Sequence, residues 1–232
     1  MRLLLALTCC AAAVAAQAGT IQVTVVDRDG KPAADVVVLV DAPGKTPAPG
    51  TSSPVAQIIQ EGSRFVPTLT VVSVGSTLRF INRDGYDHHV RALPSGPLGS
   101  IAPVKTFELR LDAADDPAAP ADDYNKPATA AKKKPNAVRT AEVKMDQAGA
   151  IGLGCHLHAS MRGQVYVSPT PWFGKTDAQG VATIDGVPDG AVQVSVWHAD
   201  QLTDQPAQTV QSAAAPAKAS VQLNFTPRRR RS

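Results

Sequence analysis

The stretch GCHLHASMRGQVYV, residues 154–167, decides how the rest of the chain is interpreted. It contains a cysteine, two histidines and a methionine, although the 232-residue chain has only 3 Cys, 5 His and 3 Met. A thiolate and a thioether favour Cu(I), whereas imidazoles also suit Cu(II). Cys155, His158 and Met161 follow one another at intervals of three residues, so one loop can wrap one ion. The segment therefore predicts a metal site with three of its ligands in this loop.

The fourth ligand of such a site must come from a distant segment. The remaining histidines are His88, His89, His156 and His198. The stretch FINRDGYDHHV (80–90) places His88 and His89 just beyond a strand that follows a Gly-Ser turn. A neighbouring loop at that position can meet the cysteine loop. We therefore expect the fourth ligand in this stretch, and we expect His198 to be structural.

Nearly every other structured segment alternates apolar and polar residues, which is the pattern of a half-buried β-strand. The clearest examples are TIQVTVVD (20–27), ADVVVLVD (34–41), KTFELRL (105–111), GQVYVS (163–168), AVQVSVWH (191–198) and SVQLNF (220–225). Asp29 and Gly30 form a hairpin signal between the first two. Many short strands separated by Gly, Pro and Asp turns are typical of β-sandwiches. The chain is therefore predicted to be all-β.

Two segments together resemble the signature segments of the cupredoxins, especially those of the amicyanin and plastocyanin type. The matching residues are Asn82, His88, His89 and Val90 in VGSTLRFINRDGYDHHV (74–90), and Cys155, His158, Met161 and Gly163 in the cysteine segment. The resemblance implies a Greek-key β-sandwich over residues 55–168, interrupted by a low-complexity insertion at 112–137. It also implies one copper ion bound by His88, Cys155, His158 and Met161.

Three further residues near these ligands have more than one interpretation. His89 stands where the family often has Asn, and His156 adds an imidazole beside the thiolate. Both are interpreted as neighbours of the ligands, with competition for the metal as the alternative. Asn82 is either a turn residue or a hydrogen-bond donor to the site, and the sequence does not separate these two roles.

A second family resemblance covers both ends of the chain. The segment FGKTDAQGVATIDGVPDGAVQVSVWH (173–198) resembles the carboxypeptidase regulatory-like, transthyretin-related β-sandwich, whose opening D-x-x-G-x-P stands in VTVVDRDGKPAADVVVLVD (23–41). We infer that this second small β-sandwich is split around the first, with halves at 19–41 and 169–226. Residues 42–54 are interpreted as a linker.

The first residues of the chain predict an exported protein. Residues 1–18 have the charged start, short apolar run and small-residue end of a cleavable signal peptide. Its removal takes away Cys9 and Cys10 and leaves Cys155 as a lone thiol in an oxidising compartment. The formal net charge of +3 is concentrated in basic runs such as the 227–232 tail, so nucleic-acid binding is not expected. No later segment is long and apolar enough to predict a membrane span.

These features predict an exported, periplasmic or secreted one-electron carrier with a single copper ion. The resemblance implies a redox partner such as a c-type cytochrome or a dehydrogenase. The alternatives are a non-redox copper carrier or resistance protein using the same residues, and a structural β-protein with a degenerate site. An enzyme is not expected, because the sequence offers no further histidine cluster, nucleophile elbow or paired carboxylates.

Overall fold

The structure, a computed structural model, describes residues 18–44, 54–113 and 137–228. Several predictions from the sequence fall outside these residues. They concern the signal peptide before residue 18 with Cys9 and Cys10, the linker at 45–53, the insertion at 114–136 and the tail at 229–232.

The described residues form 16 β-strands and one short 3-10 helix, Pro97–Gly99. The first eight strands are β1 (Ala18–Val26), β2 (Val37–Asp41), β3 (Val55–Glu61), β4 (Arg64–Val66), β5 (Leu69–Ser73), β6 (Thr77–Asn82), β7 (His88–Leu93) and β8 (Glu108–Leu111). The others are β9 (Thr140–Lys144), β10 (Gly149–Cys155), β11 (Arg162–Ser168), β12 (Trp172–Lys175), β13 (Val181–Pro188), β14 (Gly190–Trp197), β15 (Gln208–Ser212) and β16 (Ala217–Gln222). The all-β prediction is confirmed.

These strands make four sheets, which pack as two sandwiches. The central sandwich consists of the sheets β5-β11-β10-β7-β8 and β4-β3-β6-β9. The flanking sandwich consists of the sheets β13-β1-β16 and β12-β2-β14-β15. The flanking sandwich takes β1 and β2 from before the central one and its other strands from after it, as expected for a split module. The predicted domain boundaries, and the regulatory-like identity of the flanking sandwich, remain predictions.

The apolar patterns of the strands explain this packing. In β1, Ile21, Val23 and Val25 alternate with less buried residues and enter the core of the flanking sandwich. In β2, the continuous run VVLV is buried on both faces, because Val38 and Val40 enter that same core. The other two residues of the run, Val37 and Leu39, pack instead in a cluster with Leu69 of β5 and Trp197 of β14.

That second cluster joins the two sandwiches. It also contains Ala150, and Tyr166 packs against it with its ring centroid 4.7 Å from that of Trp197. The core of the central sandwich includes Phe65, Phe80 and Ile151, and Cys155 belongs to it. The four sheets are therefore joined through three apolar clusters, and Cys155 fixes the end of β10 in one of them. Among the described residues, no helix is long and apolar enough to cross a membrane.

Candidate metal centre

The pairing of β10 with β7 brings Cys155 beside the two adjacent histidines. Cys155 is the last residue of β10, lies opposite Val90 of β7 and is 4% exposed. The His156 N–H donates to the His89 carbonyl at 3.0 Å and continues the ladder by one step. Because side chains alternate across a strand, His88 and Val90 turn into the core whereas His89 turns outward.

Three of the predicted ligands come together in the core. The Cys155 Sγ lies 3.6 Å from the His88 Nδ1 and 3.4 Å from the His158 Nδ1. The ligand atoms of the three residues all lie within 4.8 Å of one another. His88 is fully buried, whereas His158 is only partly buried. The cluster therefore sits just beneath the surface, with His158 at its outer edge.

Met161 closes the loop that carries these ligands. Its N–H donates to the His158 carbonyl at 2.9 Å, and its carbonyl accepts from the Cys155 N–H at 3.3 Å. The side chain is 1% exposed and belongs to the same core cluster as Cys155. These contacts hold Met161 at the base of the loop, next to the cysteine.

The donor set and its spacing fit a first-row metal ion. An ion bound tetrahedrally at about 2.3 Å from a thiolate and about 2.0–2.1 Å from an imidazole separates sulfur from nitrogen by about 3.6 Å. The two observed separations, 3.6 and 3.4 Å, agree with this value. Two imidazoles, one thiolate and a nearby thioether are the ligands of one-copper electron-transfer sites.

A buried carboxylate that the sequence analysis did not single out orients His88. The Asp84 Oδ2 lies 2.8 Å from the His88 Nε2. Asp84 also accepts hydrogen bonds from the Gly62 and Ser63 N–H groups, at 2.6 and 3.0 Å. Both donors lie in the turn between β3 and β4, where Ser63 has a φ of +55° and Gly62 a φ of +59°. This turn therefore anchors the carboxylate that holds the ring.

The electrostatics of this pair favour a neutral imidazole beside an ionised carboxylate. Burial acts to raise the pKa of Asp84, but the hydrogen bonds from Ser63, His88 and Gly62 outweigh it, so the pKa lies below its usual value. Burial lowers the pKa of His88 despite the opposing effect of Asp84. A neutral His88 that donates its Nε2–H to Asp84 presents the Nδ1 lone pair to Cys155. This is the orientation that a metal ligand needs.

Asn82 and Tyr86 fix the loop between β6 and β7. The Asn82 Nδ2 donates to the carbonyls of Tyr86 and Asp112, and its Oδ1 accepts from the Asp84 N–H. Asn82 thus acts on the loop backbone, while the His89 N–H lies 3.4 Å from the Cys155 Sγ as its backbone donor. Tyr86 packs against the rings of His88 and His158, with centroids 5.2 and 5.1 Å away.

The other three histidines lie elsewhere. His89 and His156 face away from Cys155, and the His89 Nε2 lies 2.7 Å from the Glu108 Oε1. His198 directly follows β14 in the flanking sandwich, and its Nδ1 accepts from the Asp200 N–H. Asp84 had one sequence signal, a carboxylate four residues before a candidate histidine, but that spacing alone does not distinguish it from a turn residue.

Comparison with known proteins finds solved structures that are similar to this chain only at low sequence identity and low TM-score. No protein-family model and no curated protein matches the chain. A purple cupredoxin from Nitrosopumilus maritimus is 19% identical, with 49% of this chain and 99% of that one covered and a TM-score of 0.33. The reduced P94F mutant of amicyanin is 18% identical, with coverages of 56% and 98% and a TM-score of 0.30.

A copper-containing nitrite reductase from Thermus scotoductus is 15% identical, with a TM-score of 0.34. The match covers 48% of this chain but only 22% of the reductase. At these identities and TM-scores, the likenesses assign the chain neither a family nor a function.

Proposed function

We propose that the protein is an exported carrier of single electrons that binds one copper ion through His88, Cys155, His158 and Met161. The observation that carries this proposal is the convergence of two imidazole Nδ1 atoms on the buried Cys155 sulfur, at 3.6 and 3.4 Å. Copper bound there would supply a Cu(I)/Cu(II) couple, because the set mixes soft sulfur ligands with imidazoles.

The residues around the ligands supply what a carrier needs. Cys155 and His88 lie in the core of the central sandwich, which excludes water from the thiolate. Asp84 holds the His88 ring from one side and Tyr86 packs on it from another. A ligand set held in this way needs little rearrangement when the charge on the site changes.

The surface near His158 supports transient docking of a partner. Leu157 is 50% exposed, and its neighbours His156, Ala159 and Ser160 are also exposed. His158 lies between these exposed residues and the buried thiolate. We therefore assign partner contact to this loop, with a periplasmic c-type cytochrome or dehydrogenase as the partner. In this proposal the protein carries electrons and is not itself a catalyst.

The test is the visible spectrum of the exported form of the chain during titration with Cu(II), followed by ascorbate. We expect a strong thiolate-to-copper band that bleaches on reduction and returns on oxidation. Cys155→Ser should abolish the band. Loss of copper on reduction would instead indicate the non-redox copper carrier, and absence of any band would indicate a structural protein with a degenerate site.

A matched pair of methionine variants tests the axial ligand. Met161 and Met145 are both 1% exposed in the core of the central sandwich. Met161→Leu is expected to shift the reduction potential, because the axial ligand tunes it. Met145→Leu removes a thioether of equal burial that is not in the proposed ligand set, and should leave the potential unchanged. Equal shifts in both variants would remove Met161 from the ligand set.

A further inference from the structure

Four polar side chains form an outer cluster on the face of the β10-β7-β8 strands that points away from the core. They are His89, Arg91, Glu108 and His156. The backbone contact between His156 and His89 puts the two histidines side by side, and their ring centroids are 5.7 Å apart. Glu108 of β8 reaches His89, with 2.7 Å between the Oε1 and Nε2 atoms. Two imidazoles and a carboxylate thus meet on one surface.

The spacing of the two rings suits a shared metal ion. Two imidazoles bound through ring nitrogens at about 2.0–2.1 Å from one ion have centroids roughly 5–6 Å apart. The observed 5.7 Å lies in this range, and the rings are inclined at 76°. The ligand atoms of His89, His156 and Glu108 do not all lie within 4.8 Å of one another as those of the inner three residues do, so these side chains must rotate to share an ion. His89 is 26% exposed and Glu108 55% exposed at the side chain, so an ion can reach both from solvent.

Arg91 is the cation that contacts the cluster, and its contacts are weak; a second cation, Arg110 of β8, lies opposite His89 in the strand pairing. Its Nη1 lies 3.4 Å from the His156 Nδ1, longer than an ordinary hydrogen bond, and its Nε lies 3.9 Å from the Glu108 Oε2. Exposed ion pairs of this kind contribute little to stability. A divalent ion can replace the guanidinium as the partner of Glu108 once the exposed side chains rotate towards it.

We propose that His89, His156 and Glu108 form a second metal site, for a divalent first-row ion such as Cu(II) or Zn(II). Imidazole and carboxylate ligands suit both ions. This site has no thiolate and shares no ligand with the Cys155 centre, so the proposal goes beyond the copper carrier and does not depend on it. The two sites are neighbours because β7 and the residues after β10 contribute to each.

The experiment is a titration of the full chain with Cu(II), followed by calorimetry and electron paramagnetic resonance, and repeated with Zn(II) on Cys155→Ser protein. The wild type is expected to take up a second equivalent of Cu(II) that adds no thiolate band. His156→Gln should weaken this second equivalent by more than about 100-fold, beyond the range of indirect effects on metal sites. Arg91→Gln should tighten it.

A matched carboxylate control separates a ligand from general surface charge. Glu142 resembles Glu108 in being a half-exposed strand residue paired with an arginine, Arg79. Glu108→Gln should weaken the second equivalent, and Glu142→Gln should not. Retention of the second equivalent in His156→Gln, or uptake of only one equivalent by the wild type, would overturn the proposal.

The two metal proposals can fail separately. A second equivalent that is lost in His156→Gln, from a protein that never develops a thiolate band, would refute the electron carrier and leave the outer site standing. A reversible band with a single equivalent would do the opposite. His156 and Glu108 are exposed, so their variants should fold, and an unchanged thiolate band or circular dichroism spectrum checks this directly.

Discussion

Two pairs of histidines come from the same two short segments of the sequence and yet have opposite environments. His88 and His158 surround the buried Cys155 sulfur, whereas His89 and His156 lie outside it beside Glu108. One residue of offset along β7 is enough to separate His88 from His89, because successive side chains of a strand point to opposite faces.

The difference shows what a buried imidazole requires. His88 is 0% exposed and has the buried carboxylate of Asp84 as its partner, because an unpaired polar group in a core is costly. His89 has a carboxylate partner too, Glu108, but both remain in contact with solvent. The buried His88–Asp84 pair therefore depends on exact packing, whereas the His89–Glu108 pair, which contacts solvent, has freedom to adjust.

The largest expected effect comes from substituting the adjacent residues His88 and His89 one at a time. His88→Gln should abolish the thiolate-to-copper band, because it removes a proposed ligand and leaves Asp84 buried without its ring partner. His89→Gln should retain the band, because its side chain points outward and only its backbone N–H contacts the sulfur. Absorption spectra of both copper-titrated variants test this, and loss of the band in His89→Gln alone would reverse the assignment.

The two carboxylates provide the next comparison. Asp84→Asn should weaken copper binding by about 10–100-fold, the usual effect of losing a partner of a metal-bound histidine. It should also raise the reduction potential, because removal of a nearby negative charge disfavours Cu(II). Glu108→Gln, beside the outward-facing His89, should change the potential of the thiolate site much less. Potentiometry on both variants decides, and equal shifts would show that Asp84 has no special role.

Much of this arrangement could be predicted from the sequence, and what could not has a physical reason. Strand alternation predicted the all-β fold, and the interval of three from Cys155 to His158 and Met161 predicted a ligand loop. The spacing of Asp84 from His88 carried little information, because the value of that contact depends on the turn at Gly62 and Ser63. Only the folded chain brings this turn to the carboxylate.

The strand β3 shows the same limit. It places a polar residue, Gln60, in the core, where an alternating apolar pattern predicts a hydrophobic one. Neither amide atom of the Gln60 side chain has a protein hydrogen-bond partner. A strand with such a residue is hard to recognise from its pattern alone, and β3 is not among the clearest strands in the sequence. Its role becomes visible in the pairing with β6, which leads into the ligand loop.

The buried His88–Asp84 pair should also make the stability of the metal-free protein depend on pH. The pKa of His88 lies below its ordinary 6.5, so the unfolded chain binds more protons than the folded one as the pH falls below that value. This contribution is therefore complete above pH 6.5 and decreases below it. The lowered pKa of Asp84 adds a further loss below its ordinary 3.8.

Thermal unfolding between about pH 8 and about pH 5 measures the slope due to His88. The midpoint should fall with acidity in the metal-free wild type, and less steeply in His88→Gln. His89→Gln is the matched control, because it makes the same substitution at the neighbouring position, where the side chain is 26% exposed. Identical slopes in the wild type and His88→Gln would exclude His88 as the source.

The smallest expected effect concerns Tyr86, whose ring packs on both His88 and His158. The Tyr86 hydroxyl lies 2.7 Å from the Ser63 Oγ, in the same turn that binds Asp84. Tyr86→Phe keeps the ring against His88 and His158 and removes the hydroxyl that bonds Ser63, so it should cost about 0.5–1.5 kcal/mol of unfolding free energy. The thiolate band should remain.

A double-mutant cycle with Ser63→Ala assigns this energy to the contact, because residues in direct contact show a coupling that separate sites lack. Urea unfolding of the two single variants and the double variant gives the coupling. A coupling near zero would mean that the turn is held by its N–H bonds to Asp84 alone. A measurable coupling would mean that two contacts stabilise the turn. One is its N–H bonds to Asp84, which orients His88, and the other is its hydrogen bond to Tyr86, whose ring packs on His88.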